Sequence, residues 1–379
     1  MSHRRKLYCF MMTILSVVLL TGCWDQRLLK DLKLVFTIGF DKGNNGEVVS
    51  HIAVRETKKL SIGGKPGEAT IAVIKGEGVT LRDTRLSLDR RIPGEFSPSK
   101  TRAFMMGADL AKEDIYSILD IMYRDPKSPL GAMLMITDGK SEDIIKMKTV
   151  KETLLTEAIT DILQTAENNT IVENHSIQTV CPIMFDPDVD FSLPVIKKIE
   201  SNDIEVLGMG LFKEKAYTGV QLDEEQSMSL LMLMNKKGKI AEVNLLIHPE
   251  EENIRNRYLA LRINKVKREI NTTVLSPTDI TVDITLHFST SMVEYPRDGV
   301  VDKKEIKGLE EKAAKQLEDK AKEVIRLIQD AESDVLGIGQ ELRVHNYKDW
   351  KKIKWREVYP SVKINPSVSV KIIGTGIIN

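Results

Sequence analysis

Cysteine is nearly absent from this chain: among 379 residues only Cys9, Cys23 and Cys181 occur. A body holding one cysteine builds neither a disulfide framework nor a CxxC metal knuckle, so an exported fold must hold by packing. An excess of basic charge is missing too, because Lys plus Arg and Asp plus Glu each total 55. A nucleic-acid partner needs that excess to neutralise phosphates, and this class is set aside. Histidine is sparse, at His3, His51, His175, His248, His287 and His345, with no HExxH and no i, i+4 pair. Such scattering argues against a metal site. No GxSxG elbow, P-loop or GxGxxG run occurs, and the Gly-x-Gly triplets at 208–210, 337–339 and 374–376 lack the rest of any phosphate-binding pattern. We expect no cofactor, no catalytic residues and a non-enzyme.

What remains is 42% hydrophobic and 29% charged, the make-up of a globular body with real cores, and its length suggests two or three domains. The start is different. Arg4-Arg5-Lys6 precedes the almost wholly apolar "LYCFMMTILSVVLL" at 7–20, the charged and greasy parts of an export leader. At ~1.5 Å per residue this run reaches about 21 Å, short of the ~30 Å hydrocarbon core, so it is a poor permanent span. Leu20-Thr21-Gly22-Cys23 then resembles the bacterial lipobox: an aliphatic residue, two small ones, and the cysteine that receives lipid. Thr21 stands where Ala or Ser is more usual. Cleavage before Cys23 would remove three cations and leave S-diacylglycerol on Cys23 as the first mature residue, with an N-acyl chain as a further modification. At ~0.8 kcal/mol per buried CH₂, two acyl chains anchor stably where one is marginal.

Along the mature chain, strands and helices interleave. "LVFTIGF" (34–40) and "VVSHIAVR" (48–55) read as a hairpin joined by "DKGNNGE", and "ATIAVIKGEG" (69–78) as a third strand. Strands at 101–107 and 131–139 flank a helix at 112–125; a helix over 151–166 follows a shorter one that Ser141 is expected to cap. Three prolines in 182–194 mark a connector. A strand, turn, strand and helix fill 204–235, and two long strands run near 258–272 and 279–294. In the second, Ile280, Val282, Ile284, Leu286 and Phe288 alternate, so one face is buried. The helix at 303–331 carries Leu309, Ala313, Leu317, Ala321, Val324, Ile325 and Ile328 by threes and fours, and its alanines favour close packing on a sheet. Pro366 marks the last strand as an edge or a bulge. The C-terminal block reads as an antiparallel sheet crossed by one long helix.

Four features are weighed for chemistry. The "DKGNNG" loop opens like a calcium loop with Asp41, Asn45 and Gly46, but Ile52 stands where the bidentate glutamate is needed, so it is a hairpin turn. Asp186, Asp188 and Asp190 in "DPDVD" are three carboxylates on a short stretch, read as a solvated linker with adventitious cation binding as the rival. Cys181 lacks a histidine-bearing nucleophile signature nearby. "DWKKIKWREVY" interleaves Trp350 and Trp355 with Lys351, Lys352, Lys354 and Arg356; packing of the tryptophans under the sheet is preferred to a seat on anionic lipid or a partner.

Together, "GCWDQRLLKDLKLVFTIGFDK" (22–42), "LDIMYRDP" (119–126), "GMGLFKEKAYTGVQLDEEQS" (208–227) and "GIGQELRVHNYKDWKKIKWREVYPSVKINPSVSVKIIGTG" (337–376) resemble the Ger(x)C lipoproteins, C subunits of the spore germinant receptors of endospore-forming bacteria. The resemblance implies an α+β fold of several small sheets packed with helices, in three parts. The expected divisions are a lipoprotein signal peptide at 1–22, an N-terminal α+β domain at 23–195, a middle α+β domain at 196–275, and an antiparallel sheet with one long helix at 276–379. It also implies a lipid anchor on the outer face of the spore inner membrane, and integral membrane A and B subunits as partners. Cys23 is the only site residue it transfers. The rival reading is a solute-binding lipoprotein of a membrane transporter.

Overall fold

The computed structural model describes residues 32–57, 69–200, 202–297 and 302–375, together with residue 3 and residues 7–8 and 10–13. Leu20-Thr21-Gly22-Cys23, Trp24 and Asp25 lie outside the described residues. Among the described residues no helix is long and apolar enough to cross a membrane.

The first part of the chain builds one mixed sheet. Strands β1 (Leu32–Lys42), β2 (Val48–Thr57) and β3 (Ala69–Gly78) form an antiparallel meander, as the Asn-Gly turn predicted for its first hairpin. Helix α1 (Leu81–Asp89) and short β4 (Glu95–Ser97) follow, and β5 (Ala103–Gly107) joins β1 in parallel. Helices α2 (Ala108–Ala111) and α3 (Ile115–Arg124) carry the chain to β6 (Met133–Thr137), parallel to β5. Next come α4 (Ser141–Ile145), a small hairpin of β7 (Thr149–Val150) and β8 (Thr153–Leu154), α5 (Leu155–Asn168), β9 (His175–Ser176) and α6 (Ile177–Met184). Strand β10 (Ser192–Ile199) enters parallel to β6, then β11 (Asp203–Lys213) and β12 (Ala216–Leu222) close that side antiparallel. The order is β12-β11-β10-β6-β5-β1-β2-β3, with β4 on β1 and β9 on β6.

A parallel centre must be covered on both faces, and all five residues of β5 are buried. Phe104, Met106, Leu134 and Ile136 face α3 and α6, while Ala103, Met105 and Met135 face α4 and α5.

The second part begins with α7 (Glu224–Leu233), closed by a reciprocal cap between Asp223 and Gln226. Strands β13 (Glu242–Leu246), β14 (Tyr258–Ser276) and β15 (Asp279–Glu294) are antiparallel, and β15 buries alternate residues from Ile280 to Thr290 as its pattern requires. Helix α8 (Lys303–Asp330) lies on this sheet through Leu309, Ala313, Ala321, Val324, Ile325 and Ile328. Short helices α9 (Ile338–His345), α10 (Tyr347–Trp350) and α11 (Trp355–Val358) lead to β16 (Lys363–Gly374). The α+β make-up is as expected, with sheets of ten, four and two strands packed with helices among the described residues.

Three expectations change. β16 pairs with β15 in parallel, because α8 is a crossover that returns the chain to the start of its neighbour; the antiparallel pairs of this sheet are β13 with β14 and β14 with β15. β16 is an edge strand, where Pro366 is tolerated. Ser141 does not cap α4: Lys140 holds the cap position, and the Ser141 hydroxyl donates to Asp41 Oδ2 at 2.9 Å. Asp41 is buried and needs that donor, together with the Ser141 and Glu142 backbone N–H groups at 2.7 and 3.0 Å. The stretch 182–194 is not one connector, since Pro182 lies inside α6 and Pro194 inside β10. Pro194 precedes Val195, where β10 first pairs with β6, so no ladder bond to β6 is lost. The expected domain line at 195/196 falls inside β10, and the line at 275/276 falls at the end of β14.

Candidate functional site

The densest polar chemistry lies where the two parts of the chain meet, in the loop between α6 and β10. Asp186, Asp188 and Asp190 are not a solvated linker: Asp188 and Asp190 are buried, because cations from the far end of the chain cover them. Arg343, on α9, straddles two of them, donating from Nη1 to Asp188 Oδ2 at 2.7 Å and from Nη2 to Asp186 Oδ2. Arg356, on α11, donates to Asp190 Oδ2 and to the Val189 carbonyl at 3.3 Å. Burial pushes Asp188 up from the usual carboxylate range; burial is also the largest influence on Asp186, but the Arg343 hydrogen bond, the Asp188 N–H and the charges of Arg343 and Arg356 together outweigh it and the net direction is down.

Asp190 reaches further. Its Oδ1 accepts from the Glu214 N–H at 2.6 Å and its Oδ2 from the Asp334 N–H at 2.7 Å, while its own N–H donates to the Asp334 carbonyl at 3.0 Å. Asp334 in turn accepts from the N–H groups of Ile338 at 3.0 Å and Gly339 at 2.8 Å, and from Trp355 Nε1 at 3.0 Å. Burial nevertheless pushes the Asp334 carboxyl up to about 7. Tyr359 donates to the Ser333 carbonyl at 2.9 Å, and Ser333 donates to the Phe212 carbonyl. Every buried carboxylate in this seam has a donor, as burial of charge demands.

Beside the seam opens a cleft of about 360 Å³, lined by Glu173, His175, Lys236, Arg268, Glu341 and Asp186 among others. Lys236 donates to Glu173 at 2.6 Å. Burial alone would raise Glu173, but His175 and Lys236 outweigh it and hold its pKa at about 2.

The other expected features lie elsewhere. His51 is buried between Asp41 and Glu142, at 3.5 and 3.4 Å. His248 meets Tyr295 at 3.0 Å, and His287 meets Ser369 at 2.7 Å. Among the described residues no three His, Cys, Asp or Glu side chains converge as metal ligands. Cys181 is half-buried on α6 beside Tyr123. Trp355 is buried in the seam rather than simply under the sheet, and half-buried Trp350 stacks on Tyr347 at 5.8 Å between centroids. Sequence reasoning missed Arg343 and Asp334, and it grouped Arg356 with the exposed lysines although the guanidinium turns inward to Asp190. Arg343 stands 155 residues from Asp188 and Arg356 stands 166 from Asp190, so no local spacing could have joined them.

The molecule is thus a mixed α/β protein of two sheet units held by a buried, ion-paired seam. Residues 25–198 match the family model described as Spore germination protein N-terminal domain, and residues 207–376 match Spore germination B3/GerAC like, C-terminal. Spore germination protein KC of Bacillus subtilis (strain 168) is 24% identical, over 99% of this chain and 97% of that protein. The match to the spore germination protein YfkR of the same organism, at 22% identity, spans 61% of this chain and 62% of that protein. The fold also matches the crystal structure of the GerBC protein, with a TM-score of 0.54 and 15% identity, covering 89% of this chain and 96% of that one. The chain belongs to the GerAC-like C-subunit family of spore germination proteins. Two of the four segments that carried the resemblance, 208–227 and 337–376, supply the strand β11 and the helices α9 and α11 that close the seam.

Proposed function

We propose that this protein is the lipid-anchored, non-catalytic C subunit of a nutrient-responsive germinant receptor, held on the outer face of the spore inner membrane. Diacylglycerol on Cys23 is the anchor, and two integral membrane subunits, A and B, are the partners. The observation that carries this reading is the pairing of family matches along both sheet units with a lipobox-like Leu20-Thr21-Gly22-Cys23 just ahead of them. The anchor confines the body to a surface, which raises its effective concentration near integral partners without a large interface. The ion-paired seam makes one body of the two units, and a relay part needs such a body.

Three measurements test the reading. Cys23→Ala is expected to abolish uptake of labelled fatty acid and to release the protein from spore inner membrane at high salt; continued membrane partitioning would count against the anchor. Deleting the protein should remove the response to a defined nutrient set while leaving receptor-independent germination intact. Pull-down from spore inner membrane should bring two integral proteins, whereas recovery of an ATP-driven importer would favour a solute-binding lipoprotein.

A further inference from the structure

We infer that the outward face of residues 344–354 is a seat for an anionic lipid surface. The chain as a whole is charge-balanced, yet these eleven residues hold four lysines, Lys348, Lys351, Lys352 and Lys354, against one acid, Asp349. All four lysines are exposed. The flanking guanidiniums of Arg343 and Arg356 turn inward to the Asp186, Asp188 and Asp190 carboxylates, so the seam takes the arginines and leaves the lysines outside. Lys352 meets Asp349 and Lys354 meets Glu357, each at 3.2 Å. Among the described residues, Lys348 and Lys351 have no carboxylate within ion-pair distance.

Apolar groups stand among these cations. Val344 is 67% exposed and Tyr347 51%, with the Lys351 ammonium 4.6 Å from the centre of the Tyr347 ring. From behind, Ile353 is buried, Trp350 is half-buried, and α9 is fixed by the N–H bonds of Ile338 and Gly339 to Asp334. The face is therefore held in shape before any contact is made. An exposed tyrosine and valine on the same short stretch as the lysines suit the boundary of a bilayer, where the rings and methyls enter the headgroup layer and the ammoniums reach phosphates. Anionic lipid is the partner that this charge favours, because a neutral headgroup layer offers the lysines no net field.

This inference rests on the membrane placement proposed above and adds which face meets the bilayer. The test is acetylation footprinting by mass spectrometry of the full lipid-bearing chain on vesicles of phosphatidylcholine alone or with phosphatidylglycerol. Lys348 and Lys351 should react several-fold more slowly on the anionic vesicles, and added salt, which shortens the screening length, should restore them. Lys267 and Lys322, on β14 and α8, serve as controls and should not change. Flotation with the vesicles reports the anchor separately. A chain that floats but shows equal footprints on both vesicles overturns the seat alone, whereas a chain that floats with neither overturns the anchor and the seat with it. Slowing that appears only when spore membrane proteins are added would overturn it in favour of a protein contact.

Discussion

Asp334 shows how much one residue depends on its surroundings. It is fully enclosed, and burial pushes its carboxyl up to about 7, although the N–H groups of Gly339, Ile338 and Trp355 pull the other way. An unfolded aspartate titrates near ~3.9, so between about pH 4 and about pH 7 the folded chain binds more protons than the unfolded one. The stability Asp334 contributes is therefore present below about pH 4 and lost as pH rises through about 7. Urea titrations should give a stability that falls across this window in the native protein, with a shallower fall in Asp334→Asn; parallel slopes would refute the assignment. Glu173 acts with the opposite sign, since its pKa of about 2 makes its contribution fade only as pH falls below the usual glutamate range. Asp190 is a simpler case. Arg356→Met leaves a wholly buried carboxylate without its counter-charge, and the expected loss is ~3 kcal/mol, read as a lower denaturation midpoint.

At the scale of elements, α8 and α9 treat glycine in opposite ways. In α9, a Cβ on Gly339 would stand 2.3 Å from Trp355 Nε1 and 2.7 Å from the Asp188 carbonyl oxygen, so the helix meets the seam at van der Waals contact. Gly339→Ala should cost ~1–3 kcal/mol through overpacking and change the near-ultraviolet circular dichroism of the buried Trp355. In α8, Gly308 has nothing within 4 Å of its Cβ position. Gly308→Ala removes helix-interior backbone freedom and should stabilise by about 0.5–1 kcal/mol in the same denaturation assay. Both effects equal, or reversed, would mean that the packing around α9 is not as described.

For the whole molecule, the question is how two sheets behave as one body. Met209 and Leu211 of β11 pack into the core of the second unit, while Phe212, the next residue, packs into the core of the first. One strand therefore serves both cores, and the Asp186–Asp190 loop adds charged bonds to α9 and α11. Hydrogen exchange should show β5 and β15 opening together in the native protein. With Arg343→Ala and Arg356→Ala combined, β15 should open at lower free energy than β5, because the ties of the second unit to the loop are gone. Unchanged coincidence would mean that the shared apolar core suffices.

What could be read in advance was whatever is local in chain order. Alternation made β15 legible, spacing by threes and fours made α8 legible, and an Asn-Gly turn marked β1 and β2. Amphipathic periodicity records which face of an element is buried, since burial repeats with the backbone's own geometry. The seam has no such record. A carboxylate in water and one sealed beneath an arginine are the same letter, and "DPDVD" becomes a buried cluster only when Arg343 and Arg356 arrive from more than 150 residues away. The direction of β16 and the turning of Ser141 toward Asp41 were settled in the same way, by tertiary partners: the α8 crossover returned one strand, and a buried acceptor claimed the hydroxyl that a helix end would otherwise have used.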